Sequence, residues 1–222
     1  MATHRGKFIT FEGGEGVGKT TQIARLAESL RHSGLEVVTT REPGGSPGAE
    51  EIRQLLVTGA THRWDGVTET LLVFAARRDH LVRQILPALV DGRWVLCDRF
   101  TDSTLAYQGY GMGIERDQIE GLHKFVCGFL KPDLTVILDM PAEAGLARAV
   151  ARRAAAGEAG AAQRYEQLDL KFHNRVRDGF LDLAARDKRC YVVVDAAGKP
   201  ETVERAIRRE VGERLGIDIK TS

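Results

Sequence analysis

Eight consecutive residues constrain this 222-residue chain more than any others: Gly13-Gly14-Glu15-Gly16-Val17-Gly18-Lys19-Thr20. They fit the pattern G-x-x-x-x-G-K-[ST] in full. They follow an apolar run, Lys7–Glu12, that reads as a strand. They precede Thr20–Ser33, which reads as a helix ended by Gly34. Glycines let the backbone curl until its N–H groups point at phosphate oxygens, and the helix N-terminus adds partial positive charge. In such a loop Lys19 reaches β- and γ-phosphates, and the hydroxyl of Thr20, with Thr21 beside it, suits a phosphate-bound Mg²⁺. The pattern predicts nucleotide binding by Gly13–Thr21.

The rest of the chain repeats strand and helix. Leu35–Thr40, Trp94–Asp98, Leu134–Asp139 and Tyr191–Asp195 read as strands, and Ala49–Val57, Thr68–Leu89, Ile114–Leu130 and Pro200–Leu215 as helices, with a further helix opened by Pro141. The strands are short continuous apolar runs rather than alternating ones, which suits strands buried on both faces. The prediction is an α/β domain: a P-loop NTPase fold with a five-stranded parallel sheet and helices on both faces. No linker or repeat divides the chain, so residues 1–222 are expected to form one domain. The Ala/Gly-rich stretch Ala149–Ala162 is the one biased segment.

Composition narrows the function classes. Lys plus Arg is 32 and Asp plus Glu 31, a formal net charge of +1, which gives no general drive toward nucleic acid or anionic lipid. No stretch approaches the roughly 20 apolar residues of a membrane span. The N-terminal residues show no signal-type apolar region, so the cytoplasm is expected. Cys97, Cys127 and Cys190 are scattered and odd in number, which argues against a disulfide framework or a zinc site. The chain lacks Asn-Lys-x-Asp, the guanine-reading string of GTPases, and has Gly14 where partitioning ATPases carry a lysine.

Three further constellations suit a second, phosphorylated substrate. Thr40-Arg41-Glu42-Pro43-Gly44-Gly45 follows the second strand, and ligands of open α/β sheets bind at carboxyl ends of strands. In Phe74-Ala75-Ala76-Arg77-Arg78, Phe74 and Arg78 are four apart and share a helix face, so a flat ring and a guanidinium fork suit a nucleobase. Asp98-Arg99 ends the third strand, suiting Mg²⁺-water coordination by Asp98 and a phosphate clamp by Arg99. Ser103, Thr104, Tyr107 and Gln108 follow as a polar face.

These motifs resemble the bacterial thymidylate kinase family. The resemblance rests on Phe11-Glu12-Gly13 with the P-loop, Thr40–Gly45, Phe74–Arg78, Asp98-Arg99-Phe100 with Ser103-Thr104 and Ala106-Tyr107-Gln108-Gly109, Pro132–Thr135 leading to Leu138-Asp139, and Arg164-Tyr165-Glu166. They run in family order over almost the whole chain. The resemblance implies ATP as donor, dTMP as acceptor, Mg²⁺ and a homodimer. The acceptor site it implies comprises Glu12, Arg41, Pro43, Phe74, Arg78, Arg99, Ser103, Thr104, Tyr107 and Gln108. Within that site Phe74 stacks on thymine, Arg78 bonds its carbonyl, Tyr107 crowds the sugar 2′ position and Arg99 holds the phosphate. Glu12, Thr20 and Asp98 are the implied metal-side oxygens. The P-loop holds no cation between Gly13 and Gly18, so the resemblance is to members whose lid supplies the arginine. The implied lid spans about 148–164, and Arg152 and Arg153 are its catalytic candidates, with Arg148 and Arg164 behind them. Alternatives from the residues alone are another nucleoside or nucleoside-monophosphate kinase, or a P-loop switch protein.

Overall fold

The computed structural model describes residues 6–157 and 164–220. Part of the expected lid, 158–163, lies outside the described residues. Five parallel strands form one sheet: β1 (Phe8–Glu12), β2 (Val37–Arg41), β3 (Trp94–Asp98), β4 (Leu134–Asp139) and β5 (Tyr191–Asp195), in the spatial order β2-β3-β1-β4-β5. Register is continuous, with Phe11 opposite Asp98 on one side and Val136 on the other. The central strands β1 and β3 run buried for nearly their full length, as their unbroken apolar runs predict. The edges differ: β2 is only half-buried, and β5 alternates buried Val192 and Val194 with exposed Val193.

Strand periodicity sorts the core onto two faces. Ile9, Phe11, Leu96, Val136 and Leu138 pack with Ile23, Leu26 and Leu30 of α1 (Lys19–His32) and with Val203, Ile207 and Val211 of α9 (Pro200–Leu215). Phe8, Val95 and Cys97 pack on the other face against a long helical rod. The rod is α3 (Gly66–His80), a π-helical stretch Leu81–Ile85 and α4 (Leu86–Val90), and α6 (Arg116–Cys127) lies beside it. Asp65 caps α3 by accepting from Val67 N–H and Thr68 N–H, which fixes where the rod begins.

The remaining helices are α2 (Pro47–Val57), α5 (Thr101–Thr104) running into a π-helical stretch Leu105–Gly111, α7 (Ala142–Ala155) and α8 (Leu170–Arg186). Helix α8 has no counterpart in the sequence-based expectation. It is capped by Asp169, and its buried face is Phe172, Val176, Phe180 and Leu183, packed in part on Ala106, Tyr107 and Ile137. The order of strands reverses around β1, so the carboxyl ends of β1 and β3 open a crevice between P-loop and Asp98.

Candidate active site

Glycines in the P-loop are needed for packing as well as for phosphate access. Gly16 has φ +68, and a Cβ there would meet the Gly145 carbonyl of α7 at 1.9 Å. The loop thus lies directly on the first turns of α7, the helix that carries the candidate lid arginines. Lys19 is buried and donates to the carbonyls of Gly13 (3.2 Å) and Gly14 (2.8 Å). Burial and the Arg99 charge pull its ammonium down to about 8. A nucleotide's phosphates reverse that bias by adding negative charge.

A cavity of about 300 Å³ adjoins the loop. Its lining brings together Glu15, Gly16, Gly18, Lys19, Thr20, Thr21, Arg41, Pro43, Asp98, Arg99, Ser103, Thr104, Tyr107, Gln108 and Arg152, all expected from sequence. Gly13, Gly14 and Val17 line a smaller pocket behind the loop. Thr20 Oγ1 donates to Asp98 Oδ2 at 3.2 Å, so a hydroxyl and a carboxylate converge at the cavity wall. Two hard oxygen donors fit Mg²⁺, which keeps most of its own waters. Among the described residues no group of three or more His, Cys, Asp or Glu could hold a metal.

Arg99 is the electrostatic centre. It is the non-glycine residue with left-handed backbone among the described residues, at φ 72, a strained geometry held by its surroundings. Its guanidinium donates to Gly13 O, Ser103 Oγ, Glu15 Oε1 and Tyr107 Oη at 2.9–3.1 Å. Burial opposes its charge, but Tyr107, Glu15 and Asp98 more than offset that and raise its pKa. Burial likewise opposes ionisation of Glu15, yet Arg99 and Lys19 hold its carboxyl down at about 2. Arg53, from α2, joins the cluster and donates to Pro43 O at 2.7 Å.

Four expectations change with the structure. Phe74 faces the core, 2% exposed, among Phe8, Leu81 and Ile85. Arg78 donates to Val126 O at 3.0 Å, tying α3 to α6, and does not line the cavity. One residue earlier in each case, Val73 and Arg77 line it instead. Arg77 is buried and stacked between Phe74 and Phe100, 4.7 and 5.1 Å from their centroids. Its Nε donates to Glu42 Oε2 (2.7 Å) and its Nη2 to Thr104 Oγ1 (2.9 Å), while Nη1 is buried without a hydrogen-bond partner among the described residues. Glu42 is fixed in turn by His80 Nδ1 at 3.0 Å, and His80 Nε2 lies 2.6 Å from Thr40 Oγ1. Burial opposes the charge on Glu42, but Arg77 and His80 keep its carboxyl below the ordinary range.

Glu12 is the third change. It is fully buried and accepts from Phe100 N–H (2.7 Å) and Ser103 Oγ (2.5 Å), so it braces the turn after β3 rather than lining the cavity. Burial and neighbouring Asp102 push its carboxyl up to about 8. The lid arginines are the fourth. Arg153 is ion-paired with Glu166, and Arg164 with buried Glu69. Arg148 donates to Ala196 O and Ala197 O, both at 3.0 Å. Arg152 lines the cavity, and its guanidinium has no ion-pair or hydrogen-bond partner among the described residues.

Glu42, Arg77, Tyr165 and Glu166 fall within motifs quoted from the sequence but carry no assigned role there, and Arg53, Val57 and Val73 line the cavity from outside those motifs. Arg53 was findable: it sits on the face of α2 one turn from Ala49, which is fully buried.

The thymidylate kinase family profile matches residues 11–207. The chain belongs to the thymidylate kinase family. It is 53% identical over 213 residues to a thymidylate kinase of Caulobacter vibrioides, covering 96% of this chain and 99% of that one. A Bradyrhizobium thymidylate kinase is 51% identical, covering 95% and 92%. The fold matches the crystal structure of the Ehrlichia chaffeensis thymidylate kinase with a TM-score of 0.76 at 35% identity, covering 93% of this chain and 99% of that chain. Membership of this family accounts for a P-loop and a second, cation-rich wall in one cavity.

Proposed function

We propose that the chain transfers the γ-phosphoryl group of ATP to the phosphate of dTMP, giving ADP and dTDP. The observation that carries this reading is Arg77. A buried guanidinium nitrogen without a hydrogen-bond partner among the described residues, on the same cavity as Lys19, is a donor reserved for a ligand. A base carbonyl fits it. Family membership supplies the activity, and Arg77, Thr104 and Gln108 supply this chain's acceptor-base site.

The chemistry is positioning and charge neutralisation. The acceptor nucleophile is already a phosphate oxyanion, so no strong base is required. P-loop amides and Lys19 take the donor phosphates, and Arg99, with Arg41 and Arg53, takes the acceptor phosphate. An arriving phosphate displaces Glu15 from Arg99, because it offers more charge to the same N–H groups. Arg152 is placed to meet charge building on the transferred group. Mg²⁺, held by Thr20 and Asp98 when bound, supplies neutralisation of the donor's phosphates.

We place the enzyme in the cytoplasm as a homodimer. The apolar side chains exposed along the rod (Val82, Leu86, Val90), on α6 (Phe125) and just after it (Phe129) support a second copy there. Among the described residues no helix is long and apolar enough to cross a membrane. ADP release measured with dTMP, dUMP, dCMP, AMP and GMP tests the reading. Fast release with dTMP, lost in Lys19→Ala, is the expected result. Slow hydrolysis indifferent to all five acceptors overturns it in favour of a nucleotide switch.

A further inference from the structure

Glu69 lies on the first turn of α3, fully buried, and is not in the cavity lining. Three groups converge on its carboxylate. Gln108 Nε2 donates to Oε1 at 2.7 Å, and Tyr165 Oη donates to the same oxygen at 2.9 Å. The guanidinium of Arg164 is ion-paired with Oε2 and reaches past it to Leu56 O (2.9 Å) and Thr61 O (3.0 Å). Gln108 and Tyr165 both line the cavity, and Val73, one turn along α3, lines it too. A buried ion pair is weak evidence of stability by itself, so its place behind the substrate wall calls for another account.

A glutamine amide is two-faced: its nitrogen donates and its oxygen accepts, and the two exchange by a half-turn. A carboxylate held against a guanidinium only accepts. It therefore admits one orientation of Gln108, with the nitrogen toward Glu69. The amide oxygen is left for the cavity side.

We propose that Glu69 is a positioning residue that locks the Gln108 amide so that the enzyme presents an acceptor oxygen to the base. Such a site favours bases that donate from N3, as thymine and uracil do. It disfavours cytosine, which carries a lone pair at N3. Arg164 and Tyr165 complete the lock by satisfying the rest of the carboxylate.

This rests on the reading of the cavity as a dTMP site, and the experiment separates the two. The kcat/KM of the full chain is measured with dTMP and with 5-methyl-dCMP, which share the methyl group and differ at N3 and C4. Wild type must prefer dTMP; if it phosphorylates neither, the dTMP reading itself falls. In Glu69→Gln the new amide can donate or accept, so Gln108 is free to turn. The dTMP preference should fall about tenfold or more, with KM for ATP moved less than about twofold. Glu69→Asp, which still only accepts, should keep more of the preference than Glu69→Gln. A merely structural role would lower both substrates together and leave the ratio intact. That result, with wild type active on dTMP, overturns the proposal alone. Should Glu69→Gln lack a cooperative melting transition, Gln108→Leu provides the second test. It must lower the same ratio, and an unchanged ratio there also overturns the proposal.

Discussion

The P-loop wall and the α3 wall of the cavity were read from sequence with different success, and the contrast has a geometric cause. The P-loop acts through its backbone. Its residues are contiguous, and Lys19, Thr20 and Thr21 fall in place once strand, loop and helix are recognised. The α3 wall acts through side chains on one helical face. Val73 with Arg77, and Phe74 with Arg78, both satisfy the i, i+4 rule, and one residue of shift turns the helix by about 100°. Spacing cannot choose between the pairs. Packing does: Phe74 goes to the core with Phe8 and Leu81, and this rotates Val73 and Arg77 onto the cavity.

The sharpest way to break this contrast is at the lid, where neighbouring arginines pose the same choice. Arg152 faces the cavity, and Arg153 is held by Glu166. Arg152→Ala is expected to lower kcat by about 10³-fold, with KM for dTMP little changed, as for a residue that acts in the transition state. Arg153→Ala should cost about tenfold or less, through freed Glu166 at the cavity edge. Single-turnover kinetics on both variants decides it. Equal losses would return the two to the ambiguity that sequence leaves.

The second comparison is on α3 itself. Arg77→Lys keeps a cation beside buried Glu42 but loses the guanidinium fork. It should raise KM for dTMP about tenfold or more and leave KM for ATP near wild type. Arg78→Ala loses only a bond to Val126 O and should leave both within about twofold. Phe74→Ala should reduce stability by about 3–5 kcal/mol without a selective effect on dTMP. A selective rise in KM for dTMP in Arg78→Ala would restore the sequence-based assignment.

Fold and site were legible to different depths. Strands β3, β4 and β5 and helix α9 match their predicted limits, because apolar runs bounded by Gly, Pro and charge mark them locally. Helix α8 was legible in principle: Asp169 caps it, and Phe172, Val176, Phe180 and Leu183 recur at helical spacing. Its many charges and the Ala/Gly-rich stretch before it masked that period. The π-helical turns at Leu81–Ile85 and Leu105–Gly111 are different. Each widens the helical turn to i→i+5 bonding, and no local sequence signal announces it. The partners of buried charges were equally invisible. That Glu12 braces Phe100 and Ser103, or that Arg164 meets Glu69 from 95 residues away, depends on the folded chain.

The smallest expected effect concerns Glu12, a residue from the P-loop's own strand that sequence placed among the ligands. Burial pushes its carboxyl from 4.5 to about 8. Its folded pKa is raised, so between those values the folded protein holds a proton that the unfolded chain has released. The folded state binds more protons there, and stability falls as pH rises across the window. The contribution is whole below about pH 4.5 and lost by about pH 8. Glu12→Gln cannot ionise, yet its amide oxygen can still accept from Phe100 N–H. Melting temperatures at pH 5 and pH 8 should therefore fall more for wild type than for the variant, by several degrees if on the order of 2 kcal/mol is at stake. Asp102, raised to about 6 mainly by burial, also pushes on Glu12 through its charge, so the two proteins are compared in an Asp102→Asn background, where only Glu12 differs. Equal falls would mean that Glu12 is ionised in the fold and shares the Arg99 charge. A neutral Glu12 has the opposite consequence: the guanidinium of Arg99 keeps its full charge for the acceptor phosphate, and the carboxylate that substrate must displace is Glu15 alone.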